Sequence, residues 1–167
     1  YLVLEPTYKY IILVDVEKWG SSGMTIEDGI FLACDGRVKN KLTARKSISS
    51  AVLGGEGFFN LRLVGRGAVA LESNVPEDEL IEVELENDEL KIDGNLAVCW
   101  SSNLDFTVER STGTLVGSAV SGEGLVNVYR GTGRVLMSPV APTDSLLTAT
   151  NTTQANPAVK NNLPPEN

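Results

Sequence analysis

Gly55-Glu56-Gly57-Phe58-Phe59-Asn60-Leu61 returns 67 residues later as Gly122-Glu123-Gly124-Leu125-Val126-Asn127-Val128. Each copy runs through an apolar-rich stretch into a Gly-x-Gly element, Gly65-Arg66-Gly67 or Gly131-Thr132-Gly133, and then into Ala68–Ser73 or Arg134–Ser138. A second match, at an offset of 65, relates Asp28-Gly29-Ile30-Phe31-Leu32-Ala33-Cys34 to Asp93-Gly94-Asn95-Leu96-Ala97-Val98-Cys99. It makes the two cysteines copies of one position and sets Arg45 on Arg110. Self-similarity at a fixed period marks a chain built from stacked units that share a core.

The pattern extends to the start of the chain. Leu2-Val3-Leu4-Glu5-Pro6 matches the strand that follows Gly-x-Gly, and Ile11–Glu17 matches Leu80–Glu86. One whole unit of about 66 residues, Gly55 to Ser121, is therefore flanked by partial ones, and residue 1 is expected to enter a unit partway through. Within a unit, short alternating stretches are separated by Gly, Asp-Gly and Asn positions, and no helical period of useful length occurs. This predicts an all-β fold with pseudo-symmetry, a β-sandwich or flattened barrel. Both glycine motifs read as turns, where glycine supplies φ > 0. Gly-x-Gly here precedes a strand, so it is no dinucleotide fingerprint. One domain over residues 1–140 is expected. Residues 141–167, with four prolines, many Thr and Asn and no aromatic residue, read as a flexible tail.

Charge is unevenly placed. Of a formal net −8, all is accounted for by Glu77–Asp93, where nine acids face one base, Lys91. Ile81, Val83 and Leu85 alternate there with Glu82, Glu84 and Glu86, the period of a strand with one face in the core and a row of carboxylates on the other. A solvated face is the simple reading; a hard-cation site is the alternative, although calcium loops space their ligands around a tight turn. Arg37, Lys39, Lys41, Arg45 and Lys46 form an opposing basic run, suited to meeting the acidic strand within the molecule or between copies.

Composition removes most catalytic schemes. Without histidine there is no Ser-His-Asp triad, no Cys-His pair and no His-ligated metal. Cys34 and Cys99 form no Cys-x-x-Cys pair and sit in apolar strands, as small buried hydrophobes do. Trp19 and Trp100 read as core-edge anchors, and Asn60 and Asn127 as hydrogen-bonding partners of the turns. An apolar run such as Ile11–Val14 is only a strand's worth, far short of a membrane-spanning helix. A reducing, cytoplasmic setting is the expectation.

The succession of Gly-Glu-Gly-apolar-apolar, alternating strand, Gly-x-Gly, strand, acidic strand and Asp-Gly-x-apolar-apolar-Ala resembles the altered-inheritance-of-mitochondria protein 24 family, over about Ile11 to Pro139. That resemblance implies a bacterial or mitochondrial protein with a TRAP-like all-β fold, named for the tryptophan RNA-binding attenuation protein, usually of about three units. It implies no agreed activity, no cofactor and no catalytic residues. Mitochondrial members are linked to inner-membrane organisation, which suggests a scaffold or assembly role.

The expectation is a non-enzymatic protein without cofactor or metal that acts by self-association, as a homo-oligomer, or by partner binding. Its candidate surface is Arg37, Lys39, Lys41, Arg45, Lys46, Glu82, Glu84 and Glu86, with turn motifs Gly55, Glu56, Gly57 and Gly122, Glu123, Gly124. Two other readings stand beside it. A nucleic-acid or small-ligand module would use the basic face Arg37–Lys46, although that run has no stacking aromatics and the sequence pI is near 4.6. An enzyme would use Glu56 and Glu123 as paired carboxylates.

Overall fold

The structure, a computed structural model, describes residues 3, 8–44, 46–47, 59–110 and 125–140. Eleven strands follow one another: β1 Tyr10–Asp15, β2 Met24–Ile26, β3 Phe31–Cys34, β4 Val38–Ala44, β5 Lys46–Ser47, β6 Phe59–Gly65, β7 Ala68–Ser73, β8 Ile81–Asp93, β9 Ala97–Ser101, β10 Asp105–Arg110 and β11 Leu125–Met137. Two short 3-10 turns, Val16–Trp19 and Glu77–Glu79, are the only helical pieces among the described residues. None of these is long and apolar enough to cross a membrane. The chain is all-β, as its alternation and turn chemistry predict.

A three-stranded sheet has the order β1-β7-β3. An eight-stranded sheet runs β4-β6-β2-β9-β11-β10-β5, with β8 on the remaining side of β11. All pairings are antiparallel except β5 with β10. The 13-residue strands β8 and β11 pair along nearly their whole length, while the other side of β11 is divided between β10 and β9.

Apolar side chains select the faces. On β1, Ile12 is 1% exposed while its neighbours Ile11 and Leu13 are 59% and 64% exposed, so the apolar run Ile11–Val14 lies with one face in and one out. Ile12, Val16, Met24, Ile26, Leu63, Val69 and Leu71 fill one core, joined by Cys99. Leu85, Ile92, Trp100, Leu104, Tyr129 and Val135 fill a second. Strand β9 is buried along its length and contributes to both. Trp100 therefore lies at the centre of a core, not at its edge: its ring sits 5.2 Å from those of Phe106 and Tyr129, edge-on to Tyr129.

Strand β8 forms over the residues whose alternation predicts it, but its inward set changes phase, from Val83 and Leu85 to Leu90 and Ile92. The register slips between Gly131, opposite Asp88, and Gly133, opposite Leu85. The extra residue is accommodated by Asn87 at φ 54, a conformation asparagine tolerates better than most. The Asn87 N–H donates to Thr132 Oγ1 at 2.9 Å.

The Gly-x-Gly elements are not chain reversals. Gly131-Thr132-Gly133 lies inside the continuous strand β11, and Gly65-Arg66-Gly67 is a bend that carries the chain from β6 in one sheet to β7 in the other. Gly65, at φ 127, passes so close to β4 that a Cβ there would stand 2.5 Å from the Arg37 carbonyl oxygen. The glycines serve a kink and a close approach, which share with turns only the requirement for φ > 0.

The cysteines also depart from the sequence match. Ala33 stands opposite Ala70 and Cys34 opposite Val69, whereas Cys99 stands opposite Leu136 and Trp100 opposite Val135. In the ladders Cys99 thus corresponds to Ala33, and Cys34 to Trp100. The reason is local: Asp93-Gly94-Asn95 holds one residue more than Asp28-Gly29 before the matching loop bonds, Glu72 N–H to Ile30 O and Ser138 N–H to Leu96 O.

Candidate interaction surface

Strand β4 forms one edge of the large sheet, paired to β6 from Val38–Gly65 to Ala44–Phe59 and, among the described residues, to nothing on its other side. Val38 anchors it at 7% exposure, and Lys39, Asn40, Lys41 and Leu42 are exposed. Arg37 is not a bare cation. Its backbone N–H and its Nε both donate to Asp35 Oδ1, at 2.9 and 3.0 Å, and Nη2 donates to Asp35 Oδ2 at 2.9 Å. These bonds, the side-chain ones foremost, hold the Asp35 carboxyl down at about 2. Lys46 belongs to β5, which pairs in parallel with β10 at Thr107, so the basic run is divided between two strands. Arg45 lies outside the described residues.

The acidic strand β8 is the opposite edge. Its carboxylates are partly matched from β11: Arg134 reaches Glu82 at 3.0 Å and Glu84 at 3.6 Å, and its guanidinium stands 6.0 Å from the Trp19 ring. Glu89 is shared by Lys91, at 3.0 Å, and Arg130, which also reaches Glu109 at 2.7 Å. Lys91 and then Arg130 hold the Glu89 carboxyl below its ordinary range. Glu86 is exposed close to the bulge. Among the described residues no three acids or thiols are grouped to hold a metal ion.

The path β4-β6-β2-β9-β11-β8 sets five interstrand steps between β4 and β8, while Lys46, on β5, stands three steps from β8 by way of β10 and β11. Among the described residues β4 and β8 are not paired with each other, so contact between copies is the alternative left.

Gly55, Glu56, Gly57, Gly122, Glu123 and Gly124 lie outside the described residues. Asn127 Nδ2 donates to the Gly94 carbonyl at 3.0 Å, bracing the Asp93-Gly94 turn from a distant strand. Burial, with a smaller push from Glu82, raises the Cys99 thiol well above its ordinary value, which suits packing and not nucleophilic chemistry. Cys34 is half-buried. A cleft of about 280 Å³ between β1 and the β8–β11 ribbon is lined by Leu13, Trp19, Glu82 and Arg134 among others. The solvent-facing Ile11 and Leu13 beside it are not foreseeable from a four-residue apolar run, which does not say which of its faces is covered.

Comparison with known proteins agrees with this architecture. The family model for Mitochondrial biogenesis AIM24 matches residues 1–140. An uncharacterised protein of Streptococcus pyogenes serotype M6 is 31% identical over 117 residues, which are 70% of this chain and 45% of that protein, so the chain spans less than half of that curated relative. A Streptococcus pyogenes protein solved by X-ray crystallography in a structural genomics programme superposes with a TM-score of 0.63 at 24% identity, over 86% of this chain and 60% of its own. That likeness shows a shared fold.

Proposed function

We propose that this chain, which belongs to the Mitochondrial biogenesis AIM24 family, is a non-enzymatic structural module that acts by associating with itself or with partner proteins. The observation that carries the reading is the pair of sheet edges unmatched among the described residues: β4 with the exposed Lys39 and Lys41, and β8 with its acidic row. An edge strand presents unpaired backbone groups and is a template for another strand, and opposite charge on two edges favours one orientation of approach. The scaffold or assembly role attached by resemblance to mitochondrial family members fits this use of the surface, as does an architecture of tandem similar units. Support for a non-catalytic reading comes from the acids themselves: Glu82, Glu84 and Glu89 are engaged with the arginines of β11.

The nucleic-acid reading draws less from the same surface, because Arg37 is committed to Asp35 and Lys46 stands on another strand. Light scattering over a range of concentrations tests the proposal. Masses that are multiples of one chain, reduced by high salt, support it. A single-chain mass throughout, with no protein partner recovered, overturns it.

A further inference from the structure

The ladders of this fold recur at one spacing. Met24 opposite Leu63 and Ile26 opposite Leu61, in β2 and β6, become Leu90 opposite Tyr129 and Ile92 opposite Asn127, in β8 and β11, 66 residues on in both strands. Asn40 opposite Leu63 and Leu42 opposite Leu61, in β4 and β6, become Phe106 opposite Tyr129 and Val108 opposite Asn127. Ala33–Ala70 and Cys34–Val69 become Cys99–Leu136 and Trp100–Val135, each next to a one-residue irregularity on the same strand.

Two pairings have no second occurrence, the short parallel contact of β5 with β10 and an antiparallel seam. On its other side β2 joins β9: Met24 opposite Ser101, Thr25 opposite Trp100 and Ile26 opposite Cys99. This seam ties the first set of strands to the second. Sixty-six residues beyond β2 lie Leu90, Lys91 and Ile92, on the outer edge of β8. Sixty-six before the β9 residues lie Ala33, Cys34 and Asp35, in β3 and just after it. Among the described residues both of these edges are unpaired. The two open edges are thus counterparts of the two edges that the molecule already joins.

We infer that a second copy of this chain docks by repeating the seam, with β3 of one copy antiparallel to the C-terminal half of β8 of the next. Lys91 then stands opposite Cys34, Leu90 opposite Asp35 and Ile92 opposite Ala33. The inference rests on the self-association reading and adds its edge, direction and register. Side-chain facing agrees: Leu90 and Ile92 turn to their own core, as Met24 and Ile26 do, while Cys34 packs against its own core, as Trp100 does. Charge agrees as well. Strand β4 stands to β3 as β10 stands to β9, so the exposed Lys39 and Lys41 flank the side that receives the acidic strand. Such an interface is heterologous, with different surfaces on the two copies, and adds copies in a ring or a row.

Directly opposed residues of an antiparallel pair have Cα atoms about 4.5–5.5 Å apart, within disulfide reach. The Lys91→Cys variant, retaining Cys34, is incubated with oxidised glutathione and examined by non-reducing electrophoresis and intact mass. Dimers and larger linked species are expected, absent from wild type and from the Cys34→Ser/Lys91→Cys double variant. Glu84→Cys, on the distant half of β8, is the register control. Light scattering on the wild type is run alongside. Assembly in solution with no Lys91→Cys linkage, or with equal linkage at Glu84→Cys, overturns the register and leaves self-association standing. A single-chain mass with no linkage overturns both.

Discussion

Thr25 of β2 stands directly opposite Trp100 of β9, and through this pair and its two neighbours β2 of the first half joins β9 of the second antiparallel. Trp100 is 2% exposed and rests on the Phe106 and Tyr129 rings, so it both packs one core and carries the seam. Trp100→Ala is expected to lower stability by about 3–5 kcal/mol, the range for emptying a buried aromatic site. Urea unfolding checks this; a loss below about 1 kcal/mol would contradict a central packing role.

Gly65 tests the claim that Gly-x-Gly is a kink with a close approach. A Cβ at that residue meets the Arg37 carbonyl oxygen at 2.5 Å, and φ 127 suits no side chain. Gly65→Ala should cost about 1–3 kcal/mol from backbone strain alone. Gly29→Ala, also at positive φ but with open space around its Cβ, is expected to cost less. Equal unfolding midpoints for the two variants would count against the close approach.

Asp35 sets the acid limit of the β3–β4 corner. Its folded value, about 2, lies below the ordinary 3.8, so the contribution of the ionised carboxylate is present above 3.8 and is lost as pH falls through that window toward 2. Carboxyl NMR should place the Asp35 titration near 2 in the wild type and nearer its ordinary value in Arg37→Ala. A midpoint near 3.8 in both would show that the guanidinium does not hold the carboxylate.

Much of this fold is legible in the residues. The alternation Ile81, Val83, Leu85 locates β8, and the Gly and Asp-Gly punctuation locates most strand ends. The change of phase after Asn87 is not legible, because a bulge is defined by the partner strand β11, and nothing local says where β11 lies. By letters Cys34 matches Cys99, while the ladder sets Cys34 on Trp100, since one added loop residue moves every later position by one. The two charged runs are plain in the sequence, but their seats at opposite edges follow from long-range strand order. Arg37 was readable as paired: Asp35 is two residues away, a reach that needs no fold.

The thiols should differ in reactivity. Cys99 is fully buried with its pKa pushed well up, whereas Cys34 is half-buried in a strand with an open edge. A thiol reagent at neutral pH is expected to label Cys34 in the native protein and Cys99 only after unfolding. Native labelling of Cys99 at the rate of Cys34 would contradict the packing described.

Amide hydrogen exchange across a concentration series tests most directly whether the open edges close by strand pairing. Amides of Phe31–Cys34 and Glu89–Ile92 that face outward should exchange more slowly as concentration rises, while those of Met24–Ile26, already paired on both sides, stay unchanged. Exchange at the two edges that is the same at every concentration would contradict the account.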